Sequence, residues 1–96
     1  MDVVFVGRVI EWRGPSPYYF VPVPQEQCAD IAAAVAAAAT YGWGVVPVEV
    51  RIGGTAFTTS LFPKDGGYLL PVKNAVRGPQ GIATGDRVTV ELTGRL

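Results

Sequence analysis

Four cationic side chains, Arg51, Lys64, Lys73 and Arg77, follow one another with a single acid, Asp65, among them. That segment carries a local excess of three positive charges, offset elsewhere by seven acids against four cations. A guanidinium grips a carboxylate or phosphate at two points and an ammonium acts as a point charge, so such groups gathered round a groove suit an organic anion. Rings supply the other half of such a site. Trp12, Tyr18, Tyr19, Phe20, Tyr41, Trp43 and Tyr68 stand mostly beside Gly or Pro, where rings in turns can stack a flat ligand. The expected ligand-binding set is therefore Arg51, Lys64, Lys73 and Arg77 on the anion side, with Trp12, Arg13, Tyr18, Trp43, Ser60 and Tyr68 around it. The competing reading is solvated surface cations, with rings that seal the ends of a core.

Other chemistries find less support. The chain has no histidine and one cysteine, which excludes a Ser-His-Asp triad, an imidazole-held metal, a thiolate zinc site and an internal disulfide. A lone thiol suits a reducing compartment, and Cys28 reads as a small buried helix residue. Ser60 with Lys64 or Lys73 as base is the one conceivable nucleophile pair, and it lacks a nucleophile-elbow context. Lys64-Asp65-Gly66-Gly67 lacks the P-loop order of glycines before lysine. The eight acids are dispersed. No catalytic residue, metal or cofactor is expected, and the balance leans away from an enzyme, with lysine and tyrosine acid–base chemistry the remaining route to one.

These side chains need elements to hold them. Ninety-six residues, 49% hydrophobic and 17% charged, predict one small globular domain over 1–96 with a modest core. Fifteen valines, twelve glycines and eight prolines read as short strands between tight turns. The segment 87–93 alternates strictly, Val88, Val90 and Leu92 inward and Arg87, Thr89, Glu91 and Thr93 outward. Val46, Val48, Val50 and Ile52 share one face of another strand. Gly53-Gly54 then turns the chain into 55–62, with Ala56, Thr58, Ser60 and Phe62 on one side and Phe57, Thr59 and Leu61 on the other. Residues 63–67 form a second turn into 68–73, and 3–12 and 18–23 bring the count to about six strands. Pro22, Pro47 and Pro71 remove N–H donors inside three of these runs, which reads as sheet edges and bulges. Arg13-Gly14-Pro15-Ser16-Pro17 is a stiff corner between two strands. One Ala-rich helix over about 24–41 starts near Pro24 and ends at Gly42, with Cys28, Ile31, Val35 and Ala39 at helical spacing toward the core. The class is mainly β: a small closed or split β-barrel capped by one helix.

Trp12-Arg13-Gly14-Pro15, Tyr41-Gly42-Trp43-Gly44 with Pro47-Val48, Thr59-Ser60-Leu61-Phe62-Pro63-Lys64, Gly67-Tyr68, Pro71-Val72-Lys73, Arg77 and Gly85-Asp86 together follow one family's pattern. Across nearly its whole length the chain resembles the bacterial and archaeal domain-of-unknown-function family number nineteen-oh-five. The resemblance implies a double-split β-barrel, related in architecture to AbrB/MazE-type barrels, with helical segments capping it. It implies no activity, and no catalytic residue carries over from it.

The partner that the residues point to is an anionic small molecule. Pairing of strand edges in a monomer-or-homodimer interaction module is the alternative. Zero net charge disfavours nucleic acid, whose affinity comes from neutralised phosphates. The longest apolar stretch, 31–39, is far short of the roughly 20 residues that span a bilayer. No leader pattern opens the chain, so the expected place is the cytoplasm, away from membranes.

Overall fold

The computed structural model describes residues 2–12, 18–38 and 46–95. Alternating apolar residues build seven strands: β1 (Asp2–Arg8), β2 (Ile10–Trp12), β3 (Tyr18–Pro22), β4 (Val46–Ile52), β5 (Thr55–Lys64), β6 (Gly67–Pro71) and β7 (Arg87–Gly94). Two helices, α1 (Gln25–Ala38) and α2 (Asn74–Gln80), complete the described chain. All strand pairs are antiparallel, and the order is β1-β7-β4-β5-β6-β3-β2.

The two strands at the ends of that order are consecutive in the chain, with only Val9 between them. A sheet can satisfy both facts only by curling until its ends meet, which gives the barrel-like form. Val9 is fully buried at the join; its N–H donates to the Asp86 carbonyl (2.9 Å) and its carbonyl accepts from the Gly85 N–H (2.8 Å). The single strand expected over 3–12 is thus two strands that break at Val9 and serve opposite ends of the sheet. Gly7 lets the ends close: a Cβ there would run into the Val21 side chain of β3, so a larger residue would hold β1 off.

Inside the curl, Val46, Val48, Val50 and Ile52 of β4 meet Val90 and Leu92 of β7, Val3 and Phe5 of β1, Leu61, Leu70 and Val21. Among the described residues no polar or charged side chain is fully buried, so burial of apolar area is the main force holding the sheet closed. Helix α1 lies against β1 and β6, burying Cys28 and Ile31 and resting Val35 on the core. The Cys28 thiol donates to the Val23 carbonyl (3.3 Å). Pro24 stands just outside the helix and its carbonyl accepts the first helical bond, from the Cys28 N–H (3.0 Å). The expected continuation through Ala39 to Gly42 falls outside the described residues.

Two further expectations change. The prolines do not mark sheet edges: β3, β4 and β6 are interior in the strand order, and the outermost strands β1 and β2 contain none. Pro22 and Pro71 are the last residues of their strands and Pro47 the second of its own, where the ladder makes few demands on an N–H. The second change is α2, a seven-residue helix that Gly78 and Pro79 conceal from a reading by propensity. It ends in a Schellman cap, with Gly81 in the left-handed region (φ 62°), its N–H donating to Gly78 and the Ile82 N–H to Arg77. Gln80 fastens it to β5 by donating to Thr55 Oγ1 (2.6 Å).

Candidate functional site

A strand closed over a core has a second, outward row of side chains, and on β2, β3, β6 and β5 that row is aromatic. Directly opposed residues of antiparallel strands share a face. The pairings Trp12↔Tyr18, Ile10↔Phe20, Phe20↔Pro71 and Phe62↔Leu69 therefore put Trp12, Tyr18, Phe20, Phe62, Leu69 and Pro71 on the outside together. The Trp12 and Phe20 rings meet edge-to-face at 5.4 Å between centroids, and Phe20 and Phe62 at 6.5 Å. Phe20 and Leu69 are 9% exposed, whereas Trp12, Tyr18 and Phe62 are 43%, 61% and 45% exposed. Large rings left this open over neighbouring strands form a patch that folding alone does not call for.

The patch is concave. Trp12 lies on β2 and Lys64 on β5, with β3 and β6 between them, yet the Lys64 ammonium sits 3.9 Å from the indole centroid. The resulting groove holds about 1130 Å³, and its walls include Ser60, Lys64, Lys73 and Asn74 beside the rings. Two lysines and no acid stand among its lining residues, so its field favours an anion.

The expected binding residues divide between several places. Lys64, Lys73, Trp12, Tyr18 and Ser60 line this groove. Arg77 stands behind its wall: its guanidinium carbon lies 3.3 Å from the Tyr19 ring centroid, and Nη1 donates to Asn74 Oδ1 (2.9 Å). Its Nε is buried without a hydrogen-bond partner. Arg51 is elsewhere, opposite Ala56 and Glu91, in a smaller hollow of about 400 Å³ with Glu49 and Thr58. The four cations therefore do not converge. Ala56 precedes Lys64 by eight residues on the same strand, which is about 27 Å of extended chain. Tyr68 is opposite Pro63, on the inward side, and packs against the core. Arg13 and Trp43 lie outside the described residues.

Ser60 and Lys64 share the outward face but are separated by about 13 Å along the strand, and the lysine ammonium is on Trp12. Among the described residues no group of three His, Cys, Asp or Glu side chains could hold a metal. No described helix is long and apolar enough to cross a membrane.

Phe62, Phe20, Leu69, Pro71 and Asn74 belong to the groove and were not in the expected set. A signal for three of them was present. Phe20-Val21, Leu61-Phe62 and Leu69-Leu70 are doubled apolar pairs inside strands, and alternation sends one member of each outward. The inward members, Val21, Leu61 and Leu70, are fully buried; the outward members all reach this groove. The family model described as Domain of unknown function (DUF1905) matches residues 5–92. No curated protein matches the chain.

Proposed function

The chain belongs to the DUF1905 family, whose description states no activity, and we propose from the groove that it binds an anionic organic molecule with a flat apolar body. Trp12, Tyr18 and Phe62 take the body over the buried Phe20 ring, and the lysines take the charge. One observation carries the reading: an edge-to-face row of rings opens outward beside Lys64 and Lys73, with no acid among the lining residues. Covering about 150 Å² of that surface is worth roughly 4 kcal/mol before the costs of association, so the charged contacts decide affinity and specificity.

A thermal-shift screen against aromatic carboxylates, phosphorylated metabolites and nucleotides tests it. A ligand at 100 times its Kd adds about 2.7 kcal/mol, and a chain of this size moves roughly 4–8 °C per kcal/mol. The expected result is a hit that vanishes in the Lys64→Glu/Lys73→Glu variant while the unliganded variant melts within a few degrees of the parent. A hit that survives both charge reversals sinks the assignment.

A second reading is interaction with a protein, a second copy of this chain included. It is favoured by Val4 and Val6, 59% and 57% exposed on the outermost strand β1. Sedimentation at rising concentration decides between monomer and dimer, and loss of any dimer in Val4→Lys/Val6→Lys would locate the contact.

A further inference from the structure

We infer that the groove has a dedicated oxyanion end, formed by Lys73 and the side-chain amide of Asn74, with Arg77 as the residue that orients that amide. This rests on the groove reading above and assigns its parts. Lys64 and Lys73 both line the groove, but their situations differ. The Lys64 ammonium lies on the Trp12 ring, an arrangement that already gives it a favourable partner. Lys73 is exposed, with Asn74 as its neighbour in the groove wall.

Arg77 fixes what Asn74 can offer. A guanidinium has five N–H donors and no acceptor, so the Asn74 atom that faces Nη1 at 2.9 Å has to be the carbonyl oxygen. The amide's other end, Nδ2 with its two N–H donors, is then left for the groove. Arg77 itself is held by its stack on Tyr19, with Cζ at 3.3 Å from the ring centroid, and Tyr19 also borders the groove. The wall at this end therefore carries an ammonium and an amide constrained to donate, and no lining acid competes for them. That set matches a carboxylate or a phosphate monoester, whose oxygens only accept. Its flat body would extend from there over Tyr18, Phe20 and Phe62.

Isothermal titration of the full chain with three probes of one shape tests it: 2-naphthoate, 2-naphthyl phosphate and the neutral 2-naphthamide. The native chain should prefer at least one anion to the amide by about tenfold or more, the range of a hydrogen bond to a charged group. Whichever anion binds tighter identifies the carboxylate or the phosphate as the natural head group. Asn74→Asp replaces the donor amide by a carboxylate while keeping an oxygen toward Arg77; it should remove that preference, weakening the anions far more than naphthamide. Lys73→Met should do the same. Arg77→Met frees the amide and should lower anion affinity several-fold while naphthamide loses clearly less, a selectivity that a merely structural role would not produce. If Arg77→Met fails to fold, the two exposed positions carry the test. Equal binding of naphthoate, naphthyl phosphate and naphthamide to the native chain, or unaltered anion binding by Asn74→Asp, overturns the oxyanion end and leaves the groove standing. No binding of any probe overturns the groove reading itself, and this inference with it.

Discussion

The outer surface of the curled sheet has two halves with opposite chemistry. Over β7, β4 and the start of β5 the outward positions are Thr89, Glu91, Thr93, Glu49, Arg51 and Thr58. Over β2, β3, β6 and the end of β5 they are Trp12, Tyr18, Phe20, Phe62, Leu69 and Pro71. Behind both halves runs the same aliphatic interior of valine, isoleucine and leucine. Where the inward row is buried, as at Val46, Val48, Val50, Leu61, Leu70, Val90 and Leu92, it has little freedom, since those positions exclude water to hold the sheet closed. The outward row is free to be polar, and one half uses that freedom in the ordinary way, with cross-strand charges such as Arg51 opposite Glu91. The other half departs from it, and that departure is the feature on which the proposed binding of a flat anion rests.

Strand β5 belongs to both halves, so a change to its interior anchor should weaken both together. Leu61 is fully buried, and Leu61→Ala should lower the unfolding free energy by about 2–5 kcal/mol, read as the midpoint shift in urea. A smaller effect comes from closure. Gly7→Ala drives a methyl into Val21 and should cost about 1–3 kcal/mol through overpacking. If Gly7→Ala leaves the midpoint unchanged, β1 does not press on β3 as described, and the concavity of the aromatic half needs another origin.

How much of this contrast the sequence discloses depends on how many residues share the signal. The strands β4 and β7 were legible because each repeats one inward residue type every second position, and Gly53 supplies the positive φ (58°) that its hairpin turn requires. The break at Val9 was not legible, because a valine within an alternating run looks like continuous strand; only the strand order, a long-range property, demands the join. Helix α2 was hidden by Gly78 and Pro79, whose unfavourable propensities are tolerated in a last turn fixed by the Gly81 cap. Clustered sequence charge was legible as composition and misleading as geometry. Arg51 and Lys64 are near in sequence through a hairpin, but they occupy far ends of an extended strand pair. The ring row was half-legible, since Phe62 already shared a side with Thr58 and Ser60 in the alternation, and a phenylalanine among hydroxyls on an outward face is the anomaly that marks it.

The aromatic half can be made to resemble the polar one by a single exchange, and the two halves should respond differently. Phe62→Thr removes one ring of the edge-to-face row and supplies a β-branched residue that suits a strand. Phe62 is 45% exposed, so the loss in stability should stay within about 1–1.5 kcal/mol, of the order of one aromatic pair. The affinity for a flat anion should fall more than that stability change suggests, because the ring forms part of the groove wall.

On the polar half, Arg51→Ala should change stability by no more than about 0.5 kcal/mol, the usual scale for an exposed charged position, and should leave ligand affinity untouched. Thermal unfolding of both variants, with and without 2-naphthoate, supplies all four numbers. Equal effects of the two substitutions on binding would mean that the halves are functionally alike and that the aromatic row is packing. A loss confined to Phe62→Thr would tie the departure from ordinary surface chemistry to the ligand. It would also show that Arg51, grouped with the other cations in sequence, has no share in the site.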